Sequence, residues 1–138
     1  MILRFTVPGE PVAKGRHRFT ATGRSYTPAK TKKFENLVRL AYSMQYPDRD
    51  PAEGAIELTV RAYFSIPKSW SKKKQAEAAT EQMKKISKPD NDNCLKAVQD
   101  GLNGVAWKDD AQVADSHASK RYSTRPRVDI IIETEDPA

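Results

Sequence analysis

Residues 56–66 read IELTVRAYFSI, and they decide the fold. Ile56, Leu58, Val60, Ala62, Phe64 and Ile66 alternate with Glu57, Thr59, Arg61, Tyr63 and Ser65. A period of two marks a strand with one buried and one wetter face. Its register is well specified, because a slip of one residue would turn every apolar side chain to the other side.

On the N-terminal side, the loop YPDRDPAEG (46–54) separates this strand from a helix. The helix starts at Thr27-Pro28, where Thr can cap and Pro suits the first helical position. Phe34, Leu37, Val38 and Ala41, at helical spacing, carry it to about Tyr46. Before it, KGRHRFTATGRSYTP (14–28) reads as two short basic strands around an Ala-Thr-Gly turn, and residues 2–7 alternate as a further strand. On the C-terminal side, PKSWSKKKQAEAATEQMKK (67–85) predicts a polar helix starting near Ser69 or Ser71. A second helix follows from about Asp92 to Asn103 and ends at Asn103-Gly104, with Leu95, Val98 and Leu102 as its buried stripe. Two strands, about 112–122 and 126–134, turn at Ser123–Pro126. The order predicts an α+β fold, a small mixed β-sheet with helices packed largely on one face, in a single domain spanning 1–138.

The chain of 138 residues has a formal net charge of +6, unevenly spread. Residues 1–50 hold ten Lys/Arg against four Asp/Glu, and residues 67–89 hold seven Lys against two Glu. Such surfaces favour a polyanion, because each neutralised phosphate releases counterions. A single cysteine, Cys94, excludes an internal disulfide and fits a reducing compartment. No stretch reads as a membrane span or signal peptide, so a cytoplasmic protein with no membrane partner is expected.

Against that basic background, SKPDNDNCLKAVQDGLNG (Ser87–Gly104) places Asp90 and Asp92 at a helix start, with Lys96 one turn on. Residues two apart in a helix diverge by about 200°, so Asp90 must lie just outside the helix if the pair shares a ligand. Two readings stay open. The aspartates are helix caps with an exposed Asp92–Lys96 pair, or they bind metal. A calcium loop is excluded by register, since Leu95 stands at its turn glycine and Gly101 at its closing glutamate. Zinc has no ligand spacing, with one cysteine and two distant histidines.

A second acidic pair, WKDDAQV (107–113), follows the helix. A short return could bring Asp109 or Asp110 beside Asp90. Carboxylates about 5 Å apart repel by roughly 3 kcal/mol per pair at an effective dielectric of about 20, so such a cluster needs a cation. Oxygen ligands suit Mg²⁺, or Mn²⁺ in its place. An acidic metal pocket on a basic surface is what phosphodiester cleavage requires, and Lys96 could add positive charge there.

KPDNDNCLKAVQDGLNG followed by KDDAQV resembles the signature of the RusA-type Holliday-junction resolvases, particularly phage and prophage forms. VPGEPVAKGRHRFTATGRSYTP and KRYSTRPRVDIII extend the likeness over most of the chain. The resemblance implies a homodimeric, Mg²⁺-dependent endodeoxyribonuclease that resolves four-way DNA junctions by paired nicks in recombination and repair, with no small-molecule cofactor. It implies Asp90, Asp92 and Asp110 as metal ligands and catalytic residues, and Lys96 as the essential lysine, with Asp109 a neighbour. Cys94 stands where a larger aliphatic residue is usual. Gly101 stands where alanine is usual, which implies a softer helix end. Lys14, Arg16, Arg18 and Arg24, interleaved with Phe19 and Tyr26, are expected to grip the DNA backbone, joined by Lys72 and Lys73. The rival readings are a non-catalytic DNA-binding protein of phage origin and a nuclease acting on other branched DNA.

Overall fold

A computed structural model describes residues 1–15 and 18–137, with backbone alone at 18 and 19. The alternating segment forms β4 (Ile56–Ser65), with every even-numbered residue buried from Ile56 to Phe64. It lies inside a four-stranded sheet with β1 (Ile2–Pro8), β5 (Val113–Ser123) and β6 (Arg127–Thr134), in the order β1-β6-β4-β5. β6 runs antiparallel to both β1 and β4, while β5 runs parallel to β4. The sheet is therefore mixed. A separate two-stranded ribbon joins β2 (Arg18–Phe19) to β3 (Ser25–Tyr26).

Two long helices, α1 (Ala29–Gln45) and α3 (Asn91–Leu102), cover one face of the sheet. Phe34, Val38 and Tyr42 of α1 meet Ala97, Val98 and Leu102 of α3 over Leu3, Phe5, Leu58, Val60 and Ile130. The short α2 (Lys72–Ala78) closes a smaller cluster on the same face, with Ala78 against Phe64, Cys94 and Tyr122. The α+β architecture with helices on one face is thus as expected.

Four local expectations are corrected. α1 starts one residue late, with Pro28 in the capping position and no side-chain cap, so Thr27 does not cap it. The polar helix expected over 69–85 is capped by Ser71 but stops at Ala78. Beyond it the Thr80 hydroxyl bonds the Glu77 carbonyl at 2.7 Å, and Glu81 takes a left-handed φ of 65°. Both choices compete with continued helix. Leu95 is only half-buried, and the buried face of α3 is Cys94, Ala97, Val98, Gly101 and Leu102.

Gly101 is the fourth. It does not soften a helix end; it permits a close crossing. A Cβ there would lie 2.9 Å from the Glu35 carbonyl oxygen and 3.0 Å from the Val38 Cβ, both on α1. Alanine would gain about 1 kcal/mol of helix propensity but force two packed helices apart. We expect Gly101→Ala to destabilise the protein by about 1–3 kcal/mol in urea unfolding. A stabilised variant would contradict this account of the crossing.

Candidate active site

Asp90 occupies the capping position of α3 with an extended backbone, φ −71° and ψ 149°. Its carbonyl accepts from the amides of Asn93 and Cys94, both at 3.2 Å, yet its side chain makes no cap bond. The carboxylate is exposed and uncommitted. Asp92 is exposed in the first turn, where its Oδ1 accepts the neighbouring Asn93 amide at 3.1 Å. The capping bond offered by the bland reading is therefore not made.

Lys96 does not pair with Asp92 either. Its ammonium donates to Asp100 Oδ1 at 2.7 Å, one turn further along α3, and remains half exposed. Asp100 also takes Lys14 at 2.8 Å, and Lys14 reaches Glu35 of α1 at 3.2 Å. Burial pushes the Asp100 carboxyl up, but the hydrogen bonds from Lys14 and Lys96 outweigh it and hold its pKa below the ordinary carboxylate range. Burial likewise lowers Lys14, but Asp100 and Glu35 raise it further, so it stays charged. Lys14, expected to grip DNA, has its ammonium paired with two protein carboxylates. Arg16 lies outside the described residues, and only the backbone of Arg18 is described. Arg24 is exposed beside the Thr20–Arg24 turn, and Lys72 and Lys73 are exposed on α2.

Asp109 and Asp110 separate cleanly. Asp109 closes a capping box: its Oδ1 accepts the Ala111 amide at 3.4 Å, and its own amide donates to Gln112 Oε1 at 2.8 Å. Asp110 is half-buried, and its Oδ1 accepts the Trp107 indole N–H at 2.8 Å. Trp107 is fully buried and bridges to Asn103, at the end of α3. A helix of twelve residues is about 18 Å long. Asp110 therefore lies beyond the far end of α3 from Asp90 and Asp92. Among the described residues, no three His, Cys, Asp or Glu side chains group closely enough to hold a metal. The expected return of Asp110 to the helix start does not occur within one chain.

Two residues that hold the site carry no local sequence signal. Lys120, on β5, donates to the Ser87 and Pro89 carbonyls, each at 2.7 Å, and so fixes the turn that presents Asp90. Glu81 anchors the start of the same segment. It accepts Arg127 Nη1 at 2.8 Å and Nη2 at 3.2 Å, and the Ser123 hydroxyl at 2.5 Å. The Arg127 and Ser123 hydrogen bonds hold its carboxyl well below the usual range, at about 2.

A family model described as Endodeoxyribonuclease RusA matches residues 8–133. The chain belongs to the RusA endodeoxyribonuclease family. It is also 42% identical, over 135 residues and 94% of each chain, to an uncharacterized protein, YqaN, of Bacillus subtilis (strain 168). The family establishes a nuclease. For this RusA-family chain the ordering contacts make two checks available. Lys120→Met should leave the global fold intact but reduce DNA cleavage by about 10- to 100-fold, with Lys120→Met unfolding close to the parent in a thermal melt. Equal cleavage by both would remove Lys120 from the site. Glu81 contributes stability that is present above its unfolded pKa near 4.5 and is lost as pH falls towards 2. Glu81→Gln should therefore lose about 1–2 kcal/mol at neutral pH, discounted for partial exposure, with the gap closing below pH 4. A gap independent of pH in urea melts would contradict the ion pair.

Proposed function

We propose that this RusA-family chain is a Mg²⁺-dependent endonuclease that nicks four-way DNA junctions, with Asp90 and Asp92 as its metal ligands. The observation that carries this reading is the Asp90 carboxylate. It stands in the capping position of α3 yet leaves the helix uncapped, exposed beside Asp92. Two free carboxylates suit Mg²⁺, which keeps several waters and takes one or two carboxylates together with substrate phosphate. When bound, such an ion activates water and neutralises charge on the phosphorus oxygens.

The chain's own groups have separate tasks. Asp90 and Asp92 supply hard oxygen donors from one corner, held by Lys120. Lys96, oriented by Asp100, offers a half-exposed ammonium to a phosphate. Arg24, Lys72 and Lys73 offer exposed positive charge for the DNA backbone. Asp110, remote in its own chain, joins the site from a second copy. A two-fold axis that sets two α3 helices antiparallel brings the end of one beside the start of the other. A four-way junction has approximate two-fold symmetry and needs two nicks, so a homodimer with two such sites matches the substrate.

Purified protein with a labelled four-way junction and a matched linear duplex should give paired nicks in the junction alone, abolished by EDTA. Asp90→Asn should cleave at least about a hundredfold more slowly while still binding the junction. Parental cleavage by that variant would sink the proposed site. Mixing Asp90→Asn with Asp110→Asn chains tests the sharing. Mixed dimers would regain one intact site, so about a quarter of all sites should recover and the product should be singly nicked. A site built within one chain would leave the mixture inactive.

A further inference from the structure

We propose that the helix-free face of the sheet is a second DNA surface, on which Arg4, Arg61, Arg121 and Arg125 hold the phosphate backbone of a duplex arm that does not enter the carboxylate site. The role given to that arm rests on the junction reading above; the surface itself rests on charge and strand register.

Alternation along the strands sends one set of side chains under the helices and the other to this open face. Arg4 on β1, Arg127 on β6, Arg61 on β4 and Arg121 on β5 belong to the open set, and Arg125 just precedes β6. They are five of the chain's ten arginines, and no strand residue of this face is a lysine. Arg127 is spent on Glu81 and Asp129, and Asp129 also accepts the Thr6 hydroxyl at 2.8 Å. Arg121 donates only to the carbonyl of its neighbour Lys120, at 3.0 Å. Among the described residues, no hydrogen bond or ion pair occupies the guanidiniums of Arg4, Arg61 or Arg125, and all three are exposed. Together with Thr6, Gln45 and Asp129 they border a groove of about 560 Å³.

Charge on this face is sorted along the strands. Glu133, Glu57 and Asp115 form one row across the sheet, at the beginning of β4. The arginines gather towards the other end. That is the end at which α3 begins, since Lys120, next to Arg121, holds the Asp90 turn from the opposite face. A polyanion is therefore drawn to the end of the sheet that carries the aspartates and repelled from the other. Strands lie about 4.8 Å apart and rise about 3.3 Å per residue, which sets the Cα atoms of Arg4 and Arg61 about 12 Å apart and those of Arg61 and Arg121 about 8 Å apart. Such spacing suits phosphates facing one another across a groove of duplex DNA, about 12 Å wide. Guanidinium forks grip phosphate oxygens two at a time, as lysine does not. No large apolar side chain is exposed among these arginines, so the face favours a polyphosphate over an acidic peptide. A straight duplex cannot lie on both faces of one sheet. A branched substrate has further arms, and one of them can pass over the end of the sheet while the branch occupies the carboxylate site.

The test is binding in EDTA of a labelled four-way junction and a matched linear duplex. Arg4→Gln/Arg61→Gln/Arg125→Gln should lower the slope of log K against log salt for the junction by about 2.7, each phosphate contact contributing about 0.9. The slope for the linear duplex should fall by less than about half as much, and junction affinity at about 0.1 M salt should drop at least about tenfold. With Mg²⁺, the half-saturating junction concentration should rise while the maximal cleavage rate stays within about twofold of the parent. Lys30→Gln/Lys32→Gln/Lys33→Gln removes equal charge from the exposed side of α1 and should change the slope by less than about one. Should the arginine variant misfold, a benzophenone carried on Arg61→Cys decides by crosslinking to junction DNA, the native Cys94 being buried. An unchanged junction slope, an equal fall for both DNAs, an equal loss from the α1 variant, or no crosslink from position 61 would overturn the surface. A reduced slope alongside full cleavage by Asp90→Asn would keep this surface and discard the carboxylate site. An unchanged slope with Asp90→Asn inactive would do the reverse.

Discussion

The ammonium of Lys14 sits between the two long helices, 2.8 Å from Asp100 on α3 and 3.2 Å from Glu35 on α1. Partly buried charges of this kind are unfavourable unless each has its partners, and here a single cation serves two carboxylates that would otherwise repel. The arrangement fixes more than stability. Asp100 is also the partner of Lys96, so the one exposed lysine on the face of Asp92 takes its direction from a residue in the loop after β1. That loop is tied to the same helix at its other end, where the Lys14 amide donates to the Asn93 carbonyl at 2.9 Å. Gly101 and Ala97 allow the helices to approach closely enough for the ion pairs to form. Packing, charge and the orientation of a functional lysine are one problem solved together.

The acidic corner is held from outside its own helix. A helix start ordinarily satisfies its free amides with a capping side chain. At α3 the capping residue, Asp90, leaves its carboxylate in water, and order comes instead from Lys120 on the preceding carbonyls and from the Glu81–Arg127 pair at the far end of the segment. Arg127 also lies over the Tyr63 ring, 4.2 Å from its centre, so the clamp is anchored on the central strand. Positive side chains of the sheet thus stabilise backbone carbonyls and the carboxylates of Glu81 and Asp129 while leaving Asp90 and Asp92 without an ion pair. Such a division of labour keeps ligands available that a cap or an ion pair would have consumed.

Much of this was legible in the sequence, and for definite reasons. The strand at 56–66 and the helix from about Asp92 to Asn103 announce themselves by period, and the aspartates by their position at a helix start in a basic chain. Family likeness fixed their order. What was not legible depends on partners distant in sequence. Lys14 looked like one more cation of a basic hairpin, and only its contact with Asp100 removes it from the surface. Gly101 looked like a helix defect until α1 was placed against it. The early end of α2 is set by Thr80 and by the pull of Arg127 on Glu81, neither of which a helical pattern reports. Lys120 lies 33 and 31 residues from the two carbonyls it holds.

The separation of Asp110 from Asp90 follows from topology. β4 and β5 are parallel neighbours, so the chain between them must return to the starting end of the sheet. α3 makes that return and therefore runs against both strands. Its first turn lies towards their C-terminal ends, where ligands commonly gather in parallel sheets, and its last turn near their beginnings. Residues just before the helix and just after it are close in sequence but at opposite ends of the sheet. No rearrangement of side chains brings them together, because the rigid helix between them sets the distance. The parallel pairing of β4 with β5 thus forces the carboxylates apart within one chain.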